Sequence, residues 1–164
     1  MTNPNPLPRF EAKICQPHQL AEQLSKLPKP IVFTNGVFDI LHRGHVTYLD
    51  QAAQLGASLI VALNSDSSVK RLGKGDDRPI NSLEDRMRVI ASLASVSLVT
   101  YFETDTPLEL IQQCHPSVLV KGGDWPVQQI VGYAEVIGWG GQVVSIPFDF
   151  QRSTTSTLNK IRGV

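Results

Sequence analysis

The sequence has no excess charge of either sign, no long apolar run and few cysteines. Fifteen lysines and arginines balance fifteen aspartates and glutamates, so no overall field draws the chain to nucleic acid or to an acidic membrane. The longest apolar run has five residues, 59–63, whereas a membrane-spanning helix needs roughly 20. The first eight residues contain three prolines and no apolar stretch like that of a secretion signal. We therefore expect a cytoplasmic protein that binds anions only at a local site.

The two cysteines, Cys15 and Cys114, fit no metal-binding or redox spacing. We expect both to be reduced and to take no part in chemistry. With 164 residues, of which 41% are hydrophobic, the chain has the length and composition of one globular domain. We predict an N-terminal arm, frayed at its start, and a helix over residues 1–29, followed by a single domain over residues 30–164.

Short apolar runs alternate with helical patterns from residue 31 onward. Five runs are continuous, as in strands that are buried on both faces of a parallel sheet; they span residues 31–34, 59–63, 96–99, 117–120 and 143–146. The alternation predicts an α/β fold with a Rossmann-like, open, parallel, five-stranded sheet and helices on both faces. Ligands of such sheets bind beyond the carboxyl ends of the strands, where the strand order reverses.

Helix boundaries are predicted from local signals. Capping-box patterns at Ser82 and Thr106 indicate two helix starts, and Gly56 is well placed as a left-handed helix stop. A further helix is expected over residues 16–27, before the first strand, and a last one from residues 153–156 to residue 162.

The segment after the first predicted strand carries two histidines on either side of a glycine. It reads Thr34-Asn35-Gly36-Val37-Phe38-Asp39-Ile40-Leu41-His42-Arg43-Gly44-His45 and leads into a predicted helix. A helix start offers unpaired N–H groups and a positive dipole end, and Gly44 allows a ligand close to the backbone. The imidazoles of His42 and His45 would add donors. This arrangement suits a phosphate, but two histidines at this spacing can equally be chance polar residues in a helix cap, and a metal site would need a third ligand.

Two later segments also offer groups for a phosphate. Lys121-Gly122-Gly123-Asp124 follows the fourth predicted strand, where the glycines expose N–H groups, although a tight turn alone would also use them. The last helix opens with Ser153-Thr154-Thr155-Ser156, which holds more hydroxyls than one N-cap needs. We expect this helix start and the one at Gly44 to lie at opposite ends of one crevice and to hold a single ATP.

Basic residues between the second and third strands differ in what they indicate. Lys70, Lys74 and Arg78 could contact phosphates or belong to a solvated surface loop. Arg86 falls at the edge of the apolar face of its predicted helix, whereas Arg88 points away from that face. An arginine aimed inward is expected to meet an anion or a carboxylate.

The histidine segment resembles the T-x-G-x-F-D-x-x-H-x-G-H pattern of the nucleotidyltransferase superfamily. With the segments at 64–66, 78–81, 84–87, 120–124 and 153–155, residues from about 30 to 162 look like the D-glycero-β-D-manno-heptose 1-phosphate adenylyltransferase (ADP-heptose synthase) family. Arg43 stands where the family frequently has alanine and should point to solvent. The resemblance implies transfer of AMP from ATP to heptose 1-phosphate, which gives ADP-heptose and pyrophosphate for lipopolysaccharide core synthesis.

The resemblance also implies roles for residues of this sequence. Catalysis would fall to His42, His45 and Lys121. Nucleotide binding would involve Thr34, Asn35, Gly36, Phe38, Asp39, Gly44, Gly122, Gly123, Asp124, Ser153, Thr154, Thr155 and Ser156. The sugar phosphate or the transferred group would lie near Asn64, Asp66, Arg78 and Arg86. Mg²⁺ would arrive with ATP and take few protein ligands, so no metal site of the protein's own is expected.

Other functions share parts of this pattern. A cytidylyltransferase for glycerol or ethanolamine phosphate and a pantetheine-phosphate adenylyltransferase carry the same histidine segment, and a nucleotide-binding module without turnover would need damaged catalytic positions.

Many relatives carry this domain behind a sugar kinase, for which 164 residues leave no room. The resemblance is thus to the stand-alone form, and a separate heptose kinase would supply the substrate. A homodimer is compatible with the sequence.

Overall fold

A computed structural model describes residues 6–73, 75, 77–148 and 154–163 of the protein. Its sheet has five strands, all parallel: β1 (Ile31–Gly36), β2 (Ser58–Asn64), β3 (Leu98–Phe102), β4 (Val118–Gly122) and β5 (Gln142–Ile146). The strand order is β3-β2-β1-β4-β5. This confirms the predicted Rossmann-like sheet. Because the chain leaves β1 toward β2 and later returns on the other side of β1 to form β4, the strand order reverses between β1 and β4.

Helices cover both faces of the sheet, as predicted. They are α1 (Leu20–Lys26), α2 (Arg43–Ala53), α3 (Asp66–Arg71), α4 (Leu83–Ala91), α5 (Leu108–Cys114), α6 (Tyr133–Gly138) and α7 (Thr154–Arg162). Helices α2 and α4 contribute to one apolar cluster, and α1, α5 and α6 contribute to the cluster on the opposite face. Successive β2 side chains alternate between the clusters, with Val61 in the first and Ile60 in the second, because strand side chains point to alternate faces.

Three of the predicted helix starts hold, including that of α5, which begins at Leu108 beside Thr106, but two of the local signals were wrong. Helix α4 begins after Ser82, whose hydroxyl oxygen accepts a bond from the Asp85 N–H at 3.2 Å, and the last helix begins at Thr154. The capping box at Thr106 was wrong, since Pro107 is the cap residue of α5 and proline has no side-chain acceptor. Gly56 does not adopt a positive φ. It lies so close to β1 that a Cβ would stand 2.7 Å from the Pro30 carbonyl oxygen.

The segment before β1 packs against the sheet. A 3₁₀ turn over Arg9–Lys13 leads to Ile14, which forms a bridge with Val99 of β3, and the Cys15 N–H donates to the Val99 carbonyl at 2.9 Å. A second 3₁₀ turn, Pro17–Gln19, leads into α1, so the predicted helix over residues 16–27 is confirmed. The boundary proposed at residue 30 stays a prediction, and the start of the predicted frayed arm lies outside the described residues.

Strand β3 begins two residues later than its apolar run, at Leu98, although Val96 is buried in the preceding turn. Cys15 and Cys114 are free, as expected, and lie buried in the same apolar cluster. Burial, with a smaller effect of the neighbouring Cys15, raises the pKa of the Cys114 thiol to about 12. Across the described ranges, the helices are too short or too polar to cross a bilayer.

Candidate active site

The two histidines lie together at the start of α2. His42 is the N-cap residue, with an extended backbone (φ −140°, ψ 172°), and its carbonyl accepts the His45 N–H at 2.9 Å. The imidazoles stack, with ring centroids 3.8 Å apart and planes at 24°. Gly44 is buried between them, and a Cβ there would stand 3.1 Å from the His42 ring. Both imidazoles therefore lie at the first turn and the positive dipole end of an 11-residue helix.

The end of β1 supports this helix start. Phe38 adopts a left-handed conformation (φ 49°) and presents its ring edge to His45, with centroids 5.5 Å apart. Gly36 is needed beneath that ring, because a Cβ there would stand 2.9 Å from Phe38 Cε2. Thr34 is fully buried, and its hydroxyl is hydrogen-bonded to that of Tyr48 in α2. Burial raises the pKa of the Tyr48 hydroxyl above its ordinary value. Nucleotide contacts of Thr34, Gly36 and Phe38 stay predictions.

Asp39 fixes the loop between β1 and α2. Its side chain is buried and accepts bonds from Arg78 Nε at 2.6 Å and from the backbone N–H groups of Ile80 and Asn81 at 2.9 and 2.8 Å. Burial alone would raise the pKa of the Asp39 carboxyl, but the hydrogen bonds from Asn81, Ile80 and Arg78 outweigh burial and lower it. Asp39 and Arg78 thus already have a structural role, and their predicted ligand contacts remain predictions.

Arg86 is the largest fully buried side chain of the described residues. Its guanidinium donates to the carbonyls of Val37 and Asn64 at 2.7 and 2.9 Å, to that of Asn81 at 3.1 Å, and to the Asp66 carboxylate at 2.7 Å. The expectation that this arginine points inward and meets a carboxylate is confirmed. Because these four bonds occupy most of its five N–H groups, Arg86 ties the ends of β1 and β2 together, and its contact with substrate stays a prediction.

A cavity of about 410 Å³ opens at the carboxyl ends of the strands, beside the point where their order reverses. It is lined by Asn35, Gly36, Val37, Asn64, Leu72, Phe102, Asp105, Thr106, Pro107, Lys121, Trp125, Gln129, Ile130 and Val131. Four predicted site residues are therefore brought together here: Asn35, Gly36, Asn64 and Lys121. Most of the other lining residues come from the loops after β3 and β4, while Val37 follows β1, Leu72 follows α3 and Phe102 ends β3.

The glycine turn after β4 lies beside α2, since a Cβ at Gly122 would stand 3.1 Å from Tyr48 Cζ. Gly123 has a positive φ of 109°, and its N–H donates to the Ile146 carbonyl at 2.8 Å. The Trp125 indole N–H donates to the Gly122 carbonyl at 3.2 Å. The Phe148 ring lies over this turn, since a Cβ at Gly122 would stand 2.8 Å from Phe148 Cζ. Asp124, the last member of the predicted segment, is exposed.

The start of α7 adjoins the β1–α2 loop. The Thr154 hydroxyl donates to the Ile40 carbonyl at 3.2 Å, and Thr155 and Ser156 are exposed. The two helix starts are thus neighbours, and the expectation that they lie at opposite ends of a crevice was wrong. Ser153 and Lys74 lie outside the described residues. Lys70 is exposed on α3, and Arg43 is exposed as predicted.

Sequence reasoning missed the residues that complete the site. Tyr48, Phe148, Trp125, Asp105 and Gln129 belong to no recognisable motif. Trp125 directly follows Lys121-Gly122-Gly123-Asp124, and an aromatic residue next to a ligand-binding turn was the one signal available. The others are placed by the sheet topology alone.

A parallel sheet with paired imidazoles at a helix start and a glycine turn at its switch point defines a nucleotidyltransferase. Residues 33–162 match the family model described as cytidylyltransferase-like, and the chain belongs to that family.

The chain is also similar in sequence to proteins that carry functional names. The chain is 58% identical over 156 residues to a D-beta-D-heptose 1-phosphate adenylyltransferase of Bordetella bronchiseptica, covering 94% of this chain and 96% of that protein. It is 55% identical over 132 residues to the bifunctional protein HldE of Hahella chejuensis, of which the match covers only 28%, and 80% of this chain.

Solved structures share the fold. A lipopolysaccharide core biosynthesis protein from Thermoplasma volcanium superimposes with a TM-score of 0.61 at 25% identity, covering 74% of this chain and 98% of that one. A pantothenate synthetase from Thermus thermophilus, at 16% identity and a TM-score of 0.58, covers 82% of this chain and 61% of its own. At that identity the second likeness concerns the fold alone.

Proposed function

We propose that this chain transfers AMP from ATP to D-glycero-β-D-manno-heptose 1-phosphate, giving ADP-heptose and pyrophosphate for lipopolysaccharide core synthesis. The observation that carries the proposal is the pairing of the stacked His42 and His45 imidazoles at the α2 start with a ligand-sized cavity at the same end of the sheet. Identity of 58% over nearly the full length of a relative named for this reaction supports it.

ATP binds between the start of α2 and the glycine turn after β4. Its phosphates meet the N–H groups of α2, the two imidazoles and the hydroxyl-rich start of α7, which adjoins through the bond from Thr154 to Ile40. The nucleoside lies toward Gly122 and Gly123, where the absence of side chains leaves room against the backbone. Lys121 lines the cavity and supplies positive charge between nucleotide and acceptor.

The reaction is a direct displacement. An oxygen of the sugar phosphate attacks the α-phosphorus of ATP, the bond from that phosphorus to the bridging oxygen of the β-phosphate breaks, and pyrophosphate leaves with the bonding electrons. No covalent intermediate on the protein is needed. His42, His45 and Lys121 hold the charge that develops on the phosphate oxygens, so catalysis consists of positioning and electrostatic stabilisation.

The acceptor occupies the cavity at the sheet switch point. Its volume of about 410 Å³ is within the range of small-molecule sites, and its wall combines an indole with amide and carboxylate groups that suit a sugar. Of the four residues predicted to lie near the sugar phosphate, Asn64 lines this cavity. Arg86, Arg78 and Asp66 act behind it by fixing the strand ends and loops that form the site.

Mg²⁺ accompanies ATP and neutralises phosphate charge when bound. Three carboxylates near the site are paired with arginines, Asp39 with Arg78, Asp66 with Arg86 and Asp105 with Arg71, and the described residues offer no group of three or more metal-ligating side chains. These donors fit an ion held mainly by phosphates and water.

The test is pyrophosphate release by the purified chain, with ATP or CTP against a panel of heptose 1-phosphate, glycerol phosphate, ethanolamine phosphate and phosphopantetheine. We expect release only with ATP and heptose 1-phosphate. Preferred turnover of CTP with an alcohol phosphate would replace this function by the cytidylyltransferase alternative, and turnover of phosphopantetheine by the other adenylyltransferase. Release with no pair would favour a binding module.

A further inference from the structure

Phe148 lies two residues beyond β5, and its ring covers Gly122 and reaches toward Gly44 and Gly123, whose nearest side chains are His42 and Trp125. A Cβ built on Gly122 would stand 2.8 Å from Phe148 Cζ and 3.2 Å from Cε1. A Cβ on Gly44 would stand 3.7 Å from Cδ1, and one on Gly123 3.8 Å from Cε2. The ring therefore bridges the α2 start and the turn after β4, which are the two sides between which ATP is proposed to bind.

Among the described residues, two aromatic rings contact the edge of Phe148 in addition to the glycines beneath it. It packs perpendicular to His45, with centroids 6.2 Å apart, and to Tyr48, with centroids 5.8 Å apart and planes at 75°. The residue nevertheless remains 42% exposed. A side chain held by two edge contacts and open to solvent can rotate away at a small cost in free energy.

We infer that Phe148 occupies part of the nucleoside subsite and that ATP must displace its ring in order to bind. This inference rests on the proposed function. Because Gly122 has no Cβ, a planar group can lie directly against its backbone. The space there accommodates one such group at a time. A nucleobase that enters against Gly122 takes the volume of the phenyl ring. The apparent association constant for ATP is then the intrinsic constant multiplied by the fraction of molecules in which the ring is already displaced.

The first test measures ATP binding by titration calorimetry. Removing the ring with Phe148→Ala should tighten ATP binding about tenfold, since two aromatic contacts no longer have to be broken, and Phe148→Leu should give an intermediate gain. The control is Ile137→Ala, which removes an exposed apolar side chain of similar exposure on α6 and should leave the affinity unchanged.

A second measurement follows the ring itself. With 4-fluorophenylalanine incorporated at position 148 of the full chain, saturating ATP should shift and sharpen the ¹⁹F resonance toward that of a solvent-exposed ring. This readout does not require the Phe148→Ala variant to be stable. It therefore keeps the inference testable if Phe148→Ala fails to fold.

The outcomes separate this inference from the proposed function. If the wild type binds ATP but Phe148→Ala binds it equally or more weakly, or if the fluorine signal does not move, displacement is overturned and the ring is either neutral or a partner of the base. If the wild type binds no ATP at all, the proposed function itself fails and displacement fails with it. Tighter binding by the alanine variant, with turnover retained, supports both.

Discussion

The proposed nucleotide side and the proposed acceptor side of this site are formed by different kinds of residue. The nucleotide side, residues 34–45 with Gly122 and Gly123, consists of helix-start N–H groups, glycines and two stacked imidazoles. The proposed acceptor side, residues 105–107, 125 and 129–131, presents ordinary side chains on the loops after β3 and β4. A phosphate site needs particular residue types at fixed spacing, whereas a sugar can be bound by many combinations of amides, carboxylates and aromatic rings.

One buried group connects the two sides. The Arg86 guanidinium donates to the Val37 carbonyl, which lies next to the histidine loop, and to the Asn64 carbonyl, which lies at the cavity wall. Variants that change one side alone therefore test the two sides separately, and a variant that removes Arg86 tests the link between them.

The largest effect is expected on the nucleotide side. His42→Ala and His45→Ala should each lower kcat about 100-fold to 1000-fold, because each removes a donor to the charge of the transition state. The fold should persist, since neither histidine belongs to the buried core. Steady-state pyrophosphate release measures the rate, and circular dichroism checks the fold.

Arg43→Ala is the matched control for both variants. Arg43 stands between the histidines and is exposed, so its removal should leave kcat nearly unchanged. Near-normal turnover of either histidine variant would remove that residue from the phosphate site.

Removing the link between the sides should cost the most stability. Arg86→Met keeps the length of the side chain but leaves three carbonyls and Asp66 without their donor, which should lower the free energy of unfolding by about 3 kcal/mol. In a urea titration, Arg88→Met is the control on the same helix. Its pair with the exposed Glu84 and its partly buried pair with Glu11 should each be worth less than about 1 kcal/mol. Equal losses for the two variants would contradict the role of Arg86.

The Asp39 loop on the nucleotide side should respond to acid. The folded-state pKa of Asp39 is lowered below 3.8, so its ionised form stabilises the fold above about pH 4, and that contribution is lost as the pH falls through the folded-state value. Asp39→Asn should be less stable by about 2 kcal/mol at pH 7, and its deficit relative to the wild type should shrink below about pH 4.

The measurement is urea unfolding of both proteins from pH 7 to pH 3. Asp50→Asn, which changes an exposed carboxyl on α2, should track the wild type throughout. A deficit of Asp39→Asn that stayed constant at the lowest pH would mean that the carboxylate charge is not what stabilises the loop.

The sheet and the start of α2 could be predicted because both follow from local rules. Continuous apolar runs marked all five strands, and the spacing from Thr34 to His45 marked the helix start. The neighbours of Arg86 could not be read in this way. Its inward direction followed from the helical periodicity, but its bonds to Val37, Asn64 and Asp66 depend on how β1, β2 and α4 meet in three dimensions. The role of Gly56 could not be predicted for the same reason, since it depends on the close approach of the Pro30 carbonyl, 26 residues earlier.

The acceptor side should show a smaller and more selective effect. Gln129 lines the cavity, and Gln129→Ala should raise KM for heptose 1-phosphate about 2-fold to 10-fold, the equivalent of one hydrogen bond, while KM for ATP stays unchanged. Gln128→Ala is the control, because the adjacent glutamine is equally exposed but does not line the cavity. A rise of KM for ATP in the Gln129 variant would show that the two sides are not separate.

The smallest expected effect is none at all: the purified 164-residue chain should not phosphorylate heptose 7-phosphate. A kinase reaction needs its own nucleotide and sugar sites, and within the described ranges both predicted phosphate-binding helix starts meet in one place through the bond from Thr154 to Ile40. One ATP therefore uses both. Incubation with ATP and heptose 7-phosphate should release no ADP above background, whereas addition of a separate heptose kinase and of the phosphatase that prepares heptose 1-phosphate should restore pyrophosphate release. ADP formed by the chain alone would require a second nucleotide site and would end the division into one nucleotide side and one acceptor side.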